Sequence, residues 1–94
     1  MLTYSVNLKK RFRRDYALCA RRGLDMAKVD AAIRLLATGA PLPPSFRDHA
    51  LKGTFGGLRE CHLAGDWLLV YSRDDTHLVV HMMRTGTHQD IFGE

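Results

Sequence analysis

The sequence predicts an α+β domain in the order β-α-α-β-β-β, with a helical hairpin packed on an antiparallel sheet. Three observations carry that expectation. Apolar residues recur at helical spacing twice before Gly39, a proline-rich break follows, and beyond it three apolar runs are separated only by short turns. The chain has 94 residues, 46% apolar and 26% charged, the make-up of one small globular domain spanning 1–94.

Leu2, Tyr4 and Val6 alternate with Thr3 and Ser5, the period of a half-buried strand. Leu8, Phe12, Tyr16 and Cys19 then recur at spacings of four and three, which places them on one helix face, and Gly23 offers a stop. Asp25 is the expected N-cap of a second helix, whose stripe is Met26, Val29, Ile33 and Leu36 and whose end is Gly39. Ala40-Pro41-Leu42-Pro43-Pro44-Ser45 cannot continue a helix, because proline lacks the amide donor and restricts its predecessor; it reads as a linker inside the domain. Strands are expected from Leu58 to Leu63, Trp67 to Ser72 and Leu78 to Met83, joined as antiparallel hairpins through Ala64-Gly65-Asp66 and Arg73-Asp74-Asp75-Thr76. Thr87 can cap a last helical turn, with Asp90 three residues on in a capping-box-like pattern.

Formal charge is +4 with histidines neutral, and the excess is concentrated. Lys9, Lys10, Arg11, Arg13, Arg14, Arg21 and Arg22 face a single acid, Asp15. Such a stretch is either a solvated helix face or a positive field that attracts nucleic acid or an acidic protein; Lys9, Lys10 and Arg13 are its candidate substrate contacts. Cys19 and Cys61 lie far apart without metal-site or redox spacing. The N-terminus lacks a charged start followed by a long apolar run, and no stretch approaches the ~20 apolar residues of a membrane span, so a cytoplasmic protein with reduced thiols is expected.

The chemistry is concentrated in the second half. His49, His62, Asp66 and His88 are candidate proton-transfer groups, with Arg84 and Phe92 close by. Side-chain alternation puts Leu58, Glu60 and His62 on one face of their strand and Arg59, Cys61 and Leu63 on the other. A neutral imidazole near the Asp66 carboxylate can be oriented by it. In Arg84-Thr85-Gly86-Thr87-His88 the glycine permits a tight turn, the helix start exposes free amides, and arginine supplies a planar fork that matches phosphate oxygens. Three histidines and an aspartate could fill a zinc shell, but their spacing fits no recurring zinc motif, and no metal or other cofactor is expected. No Gly-x-Ser-x-Gly elbow is present, and Cys61 should point away from His62, which disfavours serine and cysteine nucleophiles. His77 and His81 read as ordinary structural or surface residues. Metal-free RNA cleavage needs a base for the ribose 2′-hydroxyl, an acid for the departing 5′-oxygen and positive charge for the developing anion, and this chain offers all three.

Asp48-His49-Ala50-Leu51-Lys52-Gly53, Gly57-Leu58-Arg59-Glu60-Cys61-His62, Asp66-Trp67-Leu68-Leu69-Val70-Tyr71 and Arg84-Thr85-Gly86-Thr87-His88 with Phe92-Gly93 resemble, in order and spacing, the YafQ-like branch of the RelE/ParE toxin superfamily. The resemblance implies a RelE-like microbial-ribonuclease-type fold and a type II toxin, an endoribonuclease that cleaves messenger RNA in the ribosomal A site. By position it implies that His49, His62, Asp66 and His88 form the acid–base group, with His88 as proton donor. It further implies that Arg84 contacts phosphate and that Phe92 is the C-terminal aromatic of the substrate site. The implied partners are the ribosome, messenger RNA and a cognate DinJ-like or RelB-like antitoxin, with operator DNA reached only through that antitoxin and no membrane. The alternative within the superfamily is a non-enzymatic, ParE-like toxin that poisons a protein such as gyrase, and a basic module that docks RNA without cutting it is a third. The histidine set favours the nuclease.

Overall fold

The computed structural model describes residues 3–93. The elements are β1 (Ser5–Leu8), α1 (Lys10–Arg21), α2 (Ala27–Ala37), β2 (His49–Ala50), β3 (Arg59–Ala64), β4 (Trp67–Asp74), β5 (Val79–Gly86) and α3 (His88–Phe92). Short 3-10 turns cover Pro44–Phe46 and Gly53–Phe55. The strands form one sheet in the order β1-β5-β4-β3-β2.

Strand β4 organises the interior, because its alternating side chains feed two different cores. Trp67, Leu69 and Tyr71 point to the face covered by α1 and α2, where they meet Phe12, Cys19, Val29, Ala32, Leu36, Cys61, Val80 and Met82. Leu68 and Val70 point to the opposite face and pack with Ile91 of α3, flanked by Leu51, Leu58, Met83 and Phe92. The larger core thus fixes the sheet. The smaller one lies beneath the C-terminal helix.

The α+β class and the helical hairpin match the sequence reading, and the sheet differs from it in two respects. It is mixed rather than antiparallel, since β1 runs parallel to β5 with Val6 opposite Val80 and Leu8 opposite Met82. The long helical connection after β1 frees that strand from hairpin geometry, so it can lie parallel at the sheet edge. A further strand, β2, pairs antiparallel with β3 where a loop was expected.

Boundaries moved where tertiary bonds outweighed local pattern. The Thr3 and Tyr4 amides donate to the Ala37 carbonyl, each at 2.8 Å, so the strand begins only at Ser5; the expected role of Leu2 lies outside the described residues. Leu8 belongs to β1 rather than to the helical stripe. Asp25 accepts from the Ala27 amide at 3.2 Å, although Met26 occupies the N-cap of α2. Strand β5 runs on to Gly86, so Arg84 lies within it.

Candidate active site

The sheet face opposite the helical hairpin gathers most of the expected residues. Glu60 and His62 project from alternate positions of β3, as period two requires, while Cys61 between them is buried in the helix-side core. His49 arrives on β2, directly opposite Glu60 in the ladder. The loop before β2 is anchored by Asp48, which accepts from Tyr71 Oη at 2.5 Å and from Arg59 Nε and Nη2 at 3.3 and 3.2 Å. The His49 Nδ1–H donates to the Arg47 carbonyl at 2.7 Å, which leaves Nε2 to face the sheet.

Glu60 is the centre of this arrangement. It is 4% exposed, and its Oε1 lies 3.6 Å from His49 Nε2, 3.6 Å from His62 Nε2 and 3.9 Å from His88 Nε2. A buried carboxylate is costly unless positive or hydrogen-bonding groups surround it, and here three imidazoles do. Alternation had placed Glu60 beside His62, but no motif distinguished it from an ordinary strand glutamate; only the β2–β3 register brings His49 to it as well.

Asp66 pairs with His88 rather than with its neighbour in sequence, His62. Its Oδ1 takes the His88 Nδ1–H and, at 3.4 Å, the His88 amide, and the hydrogen bond from the imidazole pulls the Asp66 carboxyl below its ordinary range. The turn between β3 and β4 therefore orients the ring of a residue beyond β5. His88 Nε2 is thereby aimed at Glu60 and at the His62 ring, whose centroid is 6.3 Å away.

Helix α3 is fastened at both levels. Thr87 Oγ1 accepts the Asp90 amide and Asp90 Oδ2 accepts the Thr87 amide, each at 3.0 Å, a reciprocal capping box. The expected free amides at this helix start are engaged, those of His88 and Asp90 by Asp66 and Thr87. Arg22, at the end of α1, adds a 2.7 Å ion pair to Asp90, and its hydrogen bonds are the main reason that the Asp90 carboxyl falls to about 2. Gly86 lets the chain turn here: its φ is +152°, and a Cβ at this position would lie 2.9 Å from Asp90 Cβ.

Arg84 lies on β5, and its fork ties α1 to α3. Its Nε donates to Asp15 Oδ2 at 2.6 Å, and its Nη2 reaches Asp15 Oδ1 and the Asp90 carbonyl, each at 3.3 Å. Asp15, the lone acid of the basic stretch, is buried and also accepts the Thr85 amide at 3.1 Å. Phe92 flanks the His88 ring at 6.1 Å. Lys9, Lys10 and Arg13 lie exposed at the start of α1. Arg22 reaches α3 from the other end of that helix. His77 and His81 lie elsewhere, bonded to Asp74 and Asn7.

The same geometry offers a metal site that sequence spacing did not. His49, Glu60 and His62 each present a ligand atom, all within 4.8 Å of one another, and nitrogen with carboxylate donors suits zinc or copper.

A family model described as "Bacterial toxin of type II toxin-antitoxin system, YafQ" matches residues 4–93. The mRNA interferase toxin YafQ of Escherichia coli K12 is 33% identical over 94 residues, covering 99% of this chain and 100% of the relative. The toxin in the crystal structure of the E. coli DinJ-YafQ toxin-antitoxin complex superposes with a TM-score of 0.88 at 32% identity, covering 98% of this chain and 100% of that one. A metal-bound toxin from Helicobacter pylori superposes equally well, with a TM-score of 0.88 at 35% identity and the same coverage.

Proposed function

The chain belongs to the YafQ family of bacterial type II toxin–antitoxin toxins, and from that membership and the site geometry we propose that it cleaves messenger RNA on translating ribosomes by metal-free acid–base chemistry. The observation that carries the reading is the set of three imidazoles around the buried Glu60, one of them held by Asp66. The His62 ring stands between those of His49 and His88, with centroids 6.3 Å from each. It takes the proton of the ribose 2′-hydroxyl as that oxygen attacks phosphorus, and Glu60 stabilises the resulting imidazolium. His88, fixed by Asp66, gives its Nε2 proton to the departing 5′-oxygen, leaving a cyclic phosphate. Arg84, anchored by Asp15, adds positive charge beside the phosphate.

Exposed Lys9, Lys10 and Arg13 then serve the ribosome or the RNA backbone at a distance from the cut, rather than the scissile phosphate itself. A cognate antitoxin of the DinJ or RelB type silences the chain, as the complexed relative suggests. A transition metal on His49, Glu60 and His62 would occupy the nitrogen lone pairs that the reaction requires. On this reading such a metal inhibits.

The test is cleavage of a translated messenger RNA by purified protein with and without ribosomes, comparing wild type with His88→Ala and mapping RNA 5′ ends. Wild type is expected to cut only the ribosome-bound message, unaffected by chelator, and His88→Ala to lose about a hundredfold or more of the rate. Equal cleavage by the two proteins, or growth arrest with intact transcripts, rejects the nuclease mechanism in favour of a toxin that acts on a protein.

A further inference from the structure

Five rings stand in file across this face. His49, His62, His88, Phe92 and Phe55 follow one another with centroid separations of 6.3, 6.3, 6.1 and 4.8 Å. The first three carry exchangeable protons, whereas the last two offer only apolar faces. Phe55 is the last residue of the Gly53–Phe55 turn and is 37% exposed, yet it is held with its plane at 90° to that of Phe92. Edge-to-face contact fixes both rings, and Phe92 in turn rests on the small core of Leu68, Val70 and Ile91. The outcome is a rigid aromatic corner beside His88, open to solvent.

We propose that Phe55 is a further substrate-positioning residue: with Phe92, the aromatic that family resemblance already assigns to the substrate site, it makes a corner in which a base next to the scissile phosphate stacks. The proposal rests on the nuclease reading and adds a residue to it. Single-stranded RNA is held by stacking its unpaired bases on aromatic side chains, and a stacked base is sequence-tolerant because every base presents a π face. With the phosphate between His62 and His88, the next ring in the file lies where the neighbouring base must go. Phe55 thus orients the substrate without touching a proton in flight. An aromatic that merely completed the small core would be equally well served by leucine, and this difference separates the two roles.

The experiment measures cleavage of ribosome-bound message by wild type, Phe55→Leu, Phe55→Trp and His88→Ala, each shown to melt as a folded protein. Phe55→Leu keeps an apolar side chain against Phe92 but removes the stacking face. It is expected to raise the half-saturating substrate concentration about tenfold, with the maximal rate and its pH profile unchanged. Phe55→Trp is expected to restore or improve binding. Wild-type saturation by Phe55→Leu overturns the proposal, as does a lowered maximal rate with an altered pH profile, which would place Phe55 on His88 rather than on RNA. Full activity of His88→Ala fails the nuclease reading instead, and the two failures are read from different variants.

Discussion

Gly86→Ala is expected to disable the protein from a position that touches no substrate. The added methyl lands 2.9 Å from both Asp90 Cβ and Asp90 Oδ2, and Asp90 is the residue that closes the capping box on Thr87, so the clash has no flexible chain end to absorb it. Positive φ at a non-glycine residue costs about 1–3 kcal/mol, and disrupting the cap costs about 1 kcal/mol more. The solvent-screened Arg22–Asp90 pair changes this sum little. A total of about 2–4 kcal/mol lowers the melting temperature by roughly 8–30 °C in a domain of this size. Cleavage should fall by more than the unfolded fraction explains, because His88 shifts with α3. Asp90→Ala serves as the control, since it removes the cap and the ion pair without the clash and should cost only about 1 kcal/mol. A Gly86→Ala protein that melts within about 2 °C of wild type and cuts RNA normally refutes the reasoning.

Two further outcomes concern titration. The Asp90 carboxyl is depressed in the folded state, so its contribution is complete above the ordinary carboxylate value of 3.8 and disappears as pH falls to about 2. Urea midpoints of wild type and Asp90→Asn should therefore converge across that interval, and a constant gap would show that Arg22 does not hold the carboxylate. Burial raises both thiols, that of Cys61 to about 12. Neither should react with iodoacetamide at about pH 8 until urea unfolds the chain, and native labelling of Cys61 would contradict its place in the core.

How much of this was legible depends on the range of the signal. Strand β3 and the first part of β4 could be read because apolar runs of strand length stand between turn signals, and the capping box of α3 because it is local. Strand β2 is two residues long and has no period to detect; its pairing is set by Leu51 donating to the Leu58 carbonyl across the intervening turn. His49, His62, Asp66 and His88 stood out by residue type. Their partners did not: Asp66 chose His88 over the nearer His62, and Glu60 became central only through a register that no local pattern states. The Arg84 fork was read as a phosphate contact, and sequence could not show that the fold also anchors it on Asp15, 69 positions earlier in the chain. Charge patterning had marked Asp15 as the exception in a basic helix without revealing why an acid belongs there.

The parallel pairing of β1 with β5 also has a consequence in time. Asn7 contacts His81 across 74 positions, and Arg22 holds Asp90 across 68. During synthesis the first strand and helix emerge long before the segments that complete them, and closing such distant contacts makes folding slow relative to a chain built of local ones. His88 is made after all five strands, and the bonds that fix its helix reach back to Asp66 and to Arg22. A chain made only as far as β4 holds His49, His62 and Asp66 but not His88, so these groups cannot yet converge. On the proposed mechanism, a chain that stops short of β5 lacks its proton donor.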